Sequence, residues 1–525
     1  MVIGVLIVAF VVSCFMGIVW FWGDVVYVAW NWSVSIAGAM FRDYSFDFLF
    51  GEVSWGFMYM LFLCGSVSLW YCLHYYSCGK GDLWGLHYLM VGFLEIMLLL
   101  VLTNSMMLSL IFWEFLGFVS FVLVLYYANM RSMRASLIVL VASRLGDVSL
   151  FFLVGHFQSW AGVCDFVAVL FFLLVGLTKS ATYPFISWLV EAMRAPTPVS
   201  SLVHSSTLVA AGAWFLVRYC CLFDFWMLDF LFIVSVLTIL ISGCCALFFM
   251  DLKKLIALST CNNIAWCLVF YVFGGVYLAL FQLLVHGVCK CYLFMSVGDL
   301  MSSSGSSQES VAVYVPCYSG SFSLVVQSLL VFSLCGLPFL GSFFCKHLLL
   351  LYGFYGFDLV SLILLVMGVF VSYAYSLRLS LLLASVSVGL SVGYVSVFVA
   401  LGFVSLLGSF IGYICGEVCV ENLLFGVLSS VCVLLVEMFG SAVGLWLVLN
   451  RVCFSVWFSE LCGNDSFVGI ACSFLSSFVD YCILSNLSVS AGFFGLSEVE
   501  FSCGLCWGFC FELCGVGCFV FYFCV

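Results

Sequence analysis

The chain has 525 residues, 66% of them hydrophobic and only 7% charged, with a mean hydropathy of +1.31 and a formal net charge of −11. That composition excludes a soluble fold, which must keep roughly half of its accessible surface compatible with water. The 14 Lys and Arg residues are scattered singly or in pairs, so no basic patch exists and no nucleic-acid partner is expected.

Apolar runs of about twenty residues recur almost end to end, each long enough to cross a hydrocarbon core ~30 Å thick. The first, Val2–Trp22, lacks a basic leader and a small-residue cleavage site, which predicts a retained helix rather than a signal peptide. Gly23–Glu52, with Asp24, Arg42, Asp43, Asp47 and Glu52, reads as an interfacial loop. Helices are predicted at 53–76 and 84–103 across the turn Ser77–Asp82, then at 105–127 with Glu114 and at 135–157 with Arg144 and Asp147. The last two lie three apart on one helix face, where they neutralise each other. A run at 163–190 carries Lys179 and breaks at Pro184; Ala195–Pro198 then leads into a helix at 199–222 bearing His204.

Further helices are predicted at 226–249, 252–274 and 276–300, with the cluster Asp251–Lys254 marking a membrane boundary. His286 and Lys290, four apart, share a helix face. The polar tract Ser302–Ser310 is a linker. The run at 322–350 repeats the plan of 163–190: it is apolar, broken at Gly336–Pro338 and Gly341, and carries one lysine, Lys346. Two interrupted membrane segments, each with a lysine, point to inverted repeats around a midplane site. Helices at 358–383, 386–415 and 422–449 follow, then a mixed stretch at 450–500 and a last apolar run at 501–525. The expected architecture is all-α and polytopic, with roughly fifteen transmembrane helices and two inverted five-helix repeats, each containing a broken helix. The boundaries are an N-terminal part at 1–83, repeats at 84–222 and 223–383, and a C-terminal part at 384–525.

The chemistry concentrates in Thr178–Gly212, which holds Lys179, Glu191, Arg194, His204 and three prolines (Pro184, Pro196 and Pro198). Ionisable groups at membrane depth are unfavourable unless functional, and irregular backbone there is tolerated only inside protein or along a wet cavity. The stretch therefore points to a proton or ion path. The 29 cysteines lie within apolar runs without the polar turns of a zinc site, so they read as small hydrophobes and no metal is expected. Abundant Phe, Gly, Trp and Cys beside 5 Pro and 6 His match T- and G-rich codons, the bias of an organelle gene. Glu95 and Glu437 are isolated acids in apolar runs and stay outside the path; contact with a neighbouring subunit is the other reading of them.

The run Lys179–Gly212, KSATYPFISWLVEAMRAPTPVSSLVHSSTLVAAG, resembles the antiporter-like membrane-arm subunits of mitochondrial NADH:ubiquinone oxidoreductase, respiratory complex I, which are related to subunits of multi-subunit cation/proton antiporters. HSSTLVAAG and the following LVRY fit the distal member of that set better than its sisters. FWEFLGFVS, SRLGD, MDLKKLIALST, HGVCKCYLFMSVG and LPFLGSFFCK extend the resemblance over about residues 45–385, and it fades at both ends.

The resemblance implies a proton-translocating subunit of the inner mitochondrial membrane, surrounded by lipid and by other membrane-arm subunits in a hetero-oligomer. FMN, iron–sulfur clusters and ubiquinone would then be held by other subunits, with no cofactor in this chain. It also implies that Glu114 is a buried glutamate paired with Lys179, that Arg144 and Asp147 form an ion pair, and that His204 continues a hydrophilic axis. Asp251 and Lys253 would belong to a polar cluster of the second repeat, His286 and Lys290 would form its central pair, and Lys346 would be the lysine of the second broken helix. Moving Glu114 relative to Lys179 would alter that lysine's grip on its proton, because a nearby carboxylate favours the charged form.

Departures from the family pattern are Gln282, where a further histidine is usual, His347, where an aspartate is usual, and an N-terminus one helix short. The long lateral helix of the family has only 450–500 to occupy, a stretch interrupted by Gly463, Gly469, Gly492 and Gly495. Two other readings remain at this stage: a stand-alone cation/proton antiporter subunit, and a structural membrane-arm subunit that has lost pumping.

Overall fold

The computed structural model describes residues 28–34, 44–76, 83–159, 165–219, 225–273, most of 275–350, 358–384, 387–389 and 427–450. The expected helix at 2–22, all but the start of that at 386–415, the lateral stretch 450–500 and the run 501–525 lie outside these residues.

Two strands, β1 (Val28–Val34) and β2 (Tyr44–Phe50), pair antiparallel with Val28 opposite Phe50, so a hairpin stands where the sequence reads as an interfacial loop. Then come α1 (Glu52–Tyr75), α2 (Leu83–Leu102), α3 (Met106–Leu125), α4 (Met130–Ser159) and α5 (Asp165–Lys179). After a break the chain forms α6 (Ile186–Ala192), α7 (Thr197–Leu202), one π-helical turn (Val203–Thr207) and α8 (Leu208–Arg218). Next are α9 (Phe225–Ala246), α10 (Leu252–Val272), α11 (Val276–Ser303), β3 (Tyr314–Pro316), α12 (Gly320–Cys335), α13 (Leu359–Ala384), β4 (Ser387–Gly389) and α14 (Val427–Leu449). β4 pairs in parallel with β3, so the stretch expected to begin a helix at 386 begins instead with a strand.

Ten helices among the described residues are long and apolar enough to cross a membrane. Helices are the natural solution there, because each satisfies its own backbone polar groups without water. The Thr197–Arg218 span is enclosed on all sides, and α10 and α11 nearly so. Around them α2, α3, α4, α9, α13 and α14 each turn an apolar face outward, exemplified by Phe115, Phe118, Val148, Phe151, Ile233, Ile363 and Leu435. Polar side chains concentrate on the enclosed helices: His204, Ser205, Asn262, Asn263, Gln282, His286 and Lys290 are all buried.

Small residues let the inner helices approach closely. A Cβ on Gly212 would lie 2.6 Å from both the Gly176 carbonyl oxygen and the Ser180 nitrogen, so α8 crosses α5 backbone to backbone. That contact fixes the end of α5, where Lys179 sits.

Candidate functional site

The first helix break follows Lys179, five residues before the proline that marks it in the sequence. Ala181 takes a left-handed backbone, φ 53°, which turns the chain. The carbonyls freed by the break are satisfied locally: Trp188 Nε1 donates to Thr178 O at 2.9 Å, and Thr182 Oγ1 donates to Leu177 O at 3.2 Å. This is how irregular backbone is tolerated at membrane depth, buried in protein with its polar groups paired.

Lys179 is 2% exposed, and its Nζ has no hydrogen-bond partner in the protein. The ammonium lies 5.5 Å from the centre of the Trp113 ring, a distance at which the negative face of an indole attracts a cation. Beside it is a cavity of about 10 Å³ lined by Ser120, Ser143, Thr178, Lys179 and Trp188 among others. That is room for about one water molecule, with polar groups to hold it.

The carboxylate whose charge acts on Lys179 is Asp147, 3% exposed and paired with Arg144 at 3.4 Å. Glu114, which the resemblance makes a buried partner of Lys179, is exposed on α3 beside Phe115 and Phe118. The reason is helical geometry: Trp113 and Gly117, four apart, face Lys179, and Glu114 is turned about 100° from the first and about 60° from the second.

The π-helical turn carries His204. The Leu208 N–H donates to Val203 O, five residues back, and inserts one extra residue into the helix. Such turns are often found at functional sites. His204 is fully buried, neither ring nitrogen has a partner, and the ring meets Trp188 edge-on at 6.2 Å. Trp188 therefore stands between His204 and the Lys179 cavity.

The charge of Lys253 reaches His204. Lys253 itself is buried and donates to Ala195 O at 3.1 Å. Asp251 does not join it: its carboxylate pairs with Lys254 at 3.1 Å, at the half-exposed start of α10. Asp251 is thus a boundary residue, and of the charged side chains in that cluster only Lys253 is buried.

On α11, His286 and Lys290 are both 1% exposed. Lys290 Nζ donates to Ser259 Oγ and to Ile256 O, both on α10, whereas His286 Nε2 has no partner. Gln282, one turn earlier on α11, is buried with both amide atoms unpartnered. Gly287 packs against Met60 of α1, whose sulfur would lie 2.7 Å from an added Cβ, and also touches the π-helical turn at Ser206, whose Cβ would lie 3.5 Å away.

The second break follows α12. Gly336 and Gly341 both have positive φ, 99° and 28°. Lys346, 4% exposed, reaches back and donates to Leu334 O at 3.0 Å and Cys335 O at 2.8 Å. A cation is favoured there by the partial negative charge at a helix C-terminus. Its Nζ also lies 5.5 Å from the centre of the Trp266 ring. The two broken segments therefore share one plan, a buried lysine over the face of a tryptophan from another helix. Neither tryptophan was singled out in the sequence; Trp113 is signalled only by its place in FWEF.

These features define a multi-pass helical membrane protein with a file of buried bases running from one broken helix to another. The family described as NADH:quinone oxidoreductase/Mrp antiporter, TM, matches residues 103–373, about half of the chain, and the chain belongs to it. A protein named NADH-ubiquinone oxidoreductase chain 5 from Apis mellifera ligustica is 35% identical over 295 residues, 55% of this chain and 53% of its own length. Its namesake from Anopheles arabiensis is 36% identical over 282 residues, 50% of this chain and 72% of its own length. The match with the first thus leaves about half of that relative uncovered. A chain in the structure of an Mrp complex from Dietzia sp. DQ12-45-1b superposes with a TM-score of 0.69 at 20% identity, over 96% of this chain and 62% of that one. At that identity the likeness speaks for the fold.

Proposed function

We propose that this chain moves protons across a membrane as an antiporter-like subunit of the membrane arm of respiratory complex I, coupled to electron transfer from NADH to ubiquinone. The observation that carries this reading is the file Lys179, His204, Lys253, His286, Lys290 and Lys346, six bases buried inside membrane-spanning or broken helices. A proton crosses hydrocarbon only between titratable groups bridged by water. Here such groups are spaced across the enclosed centre, and several of their nitrogens lack a protein partner that water would supply.

Asp147 replaces Glu114 in this reading as the acid that works on Lys179, with Arg144 as its counter-ion. Asp251 and Glu114 stand outside the file. The family membership and the names of the relatives support the assignment to complex I. The inner mitochondrial membrane, an organelle gene, two inverted five-helix repeats and about fifteen helices go with it. Other membrane-arm subunits and lipid would cover the outward apolar faces. FMN, iron–sulfur clusters and ubiquinone would belong to other subunits, which places electron transfer outside this chain.

The test is the assembled complex in proteoliposomes, with Lys179→Gln in this chain. The ratio of protons moved to NADH oxidised is expected to fall while the assembly forms normally. An unchanged ratio would refute the proposal.

A further inference from the structure

One buried acid is not used by the site above. Glu437 lies on α14, beyond the residues matched by the family, and is 8% exposed. Its neighbours on that helix, Leu434, Leu435, Met438 and Phe439, are all exposed. Val433, Glu437, Gly440, Gly444 and Leu447 form the inward stripe, spaced three and four residues apart. An acid placed on the one enclosed stripe of a lipid-facing helix needs a partner inside.

The packing names that partner. A Cβ on Gly440 would lie 2.6 Å from Phe370 O and 3.1 Å from Tyr373 Cβ, and one on Gly444 would lie 2.3 Å from Ala374 O. α14 is thus pressed against α13 at the level of Tyr373, with Glu437 one turn before Gly440. The Tyr373 hydroxyl donates to Gly336 O, the carbonyl at the second helix break. A Cβ on Gly336 would in turn lie 3.3 Å from Lys346 Cδ. Glu437 sits one turn from the α13 contact, and the charges of Glu437 and Lys346 act on each other. His347, the residue after Lys346, stacks on Phe343 of its own segment at 4.9 Å.

We propose that Glu437 is the acid partner of Lys346, a positioning residue that reaches the second helix break through Tyr373 and holds the lysine's proton there. The inference rests on the proton-path reading. In it α14 completes the site, supplying from outside the family-matched region a carboxylate that the second broken segment does not carry beside its lysine.

The experiment uses the intact complex in proteoliposomes and measures protons moved per NADH oxidised for E437Q, E437D, K346Q and E437Q/K346Q. E437Q keeps the size of the side chain and removes its charge. It is expected to lower the ratio about twofold or more, a small factor for two coupled groups. E437D is expected to restore most of it, and the double variant to fall no lower than K346Q. A parental ratio in E437Q while K346Q lowers it overturns this proposal and leaves the proton path standing. Independent, additive losses in the double variant make Glu437 merely structural and also overturn it. K346Q without effect defeats the path reading and this proposal together. Should E437Q not assemble, Y373F carries the test: a lowered ratio supports the link and an unchanged one overturns it.

Discussion

Lys179 and Lys346 occupy similar breaks but are held differently. Lys346 is anchored by two backbone carbonyls, whereas Lys179 has no hydrogen-bond partner and is held by the Trp113 face, the charge of Asp147 and a cavity for about one water molecule. A desolvated cation–π contact is worth about 2 kcal/mol, so Trp113 is a large part of what positions the Lys179 ammonium. Trp113→Leu is therefore expected to lower proton movement several-fold in the reconstituted complex, and Trp113→Phe to keep most of it. Equal rates for Leu and Phe would mean that the ring only fills space. The lysine is legible in the sequence because a charge stands out in an apolar run. Its partner is not, because Glu114 and Asp147 look alike in sequence and only the packing shows which one turns inward.

At the scale of elements, the breaks depend on close helix crossings. The α5–α8 crossing at Gly212 admits no Cβ, since backbone atoms of Gly176 and Ser180 lie 2.6 Å from where it would be. Gly212→Ala is expected to destabilise the chain by about 1–3 kcal/mol, the range for overpacking. Gly155 on α4 has nothing within 4 Å of an added Cβ. Gly155→Ala there is expected to be neutral or stabilising by up to about 1 kcal/mol. Thermal unfolding in detergent compares the two, and similar melting temperatures would contradict the crossing's importance. The sequence locates the helices to within a few residues, but places the first break at Pro184. The chain leaves the helix after Lys179, where Ala181 takes a left-handed turn.

At the scale of the molecule, neighbouring bases among the described residues sense one another: the charge of Lys253 reaches His204, and that of Lys346 reaches Lys290. A path in series is limited by its worst step. The double variant Lys179→Gln/Lys346→Gln should therefore move protons no more slowly than the poorer single variant. Losses that multiply would show instead two independent routes, one in each broken segment. Proton uptake followed by a pH dye in proteoliposomes separates these outcomes.

The sequence by itself determined a helical membrane protein, the two broken segments and the buried bases on them. Apolar length and isolated charge are properties of the chain that need no partner to be read. Only the tertiary structure decided which acid's charge reaches Lys179, that Lys253 points inward while Asp251 does not, and that Trp113 and Trp266 stand at the lysines. Those facts depend on helix rotation and on contacts between segments far apart in the chain. Packing sets both, and no local pattern encodes them.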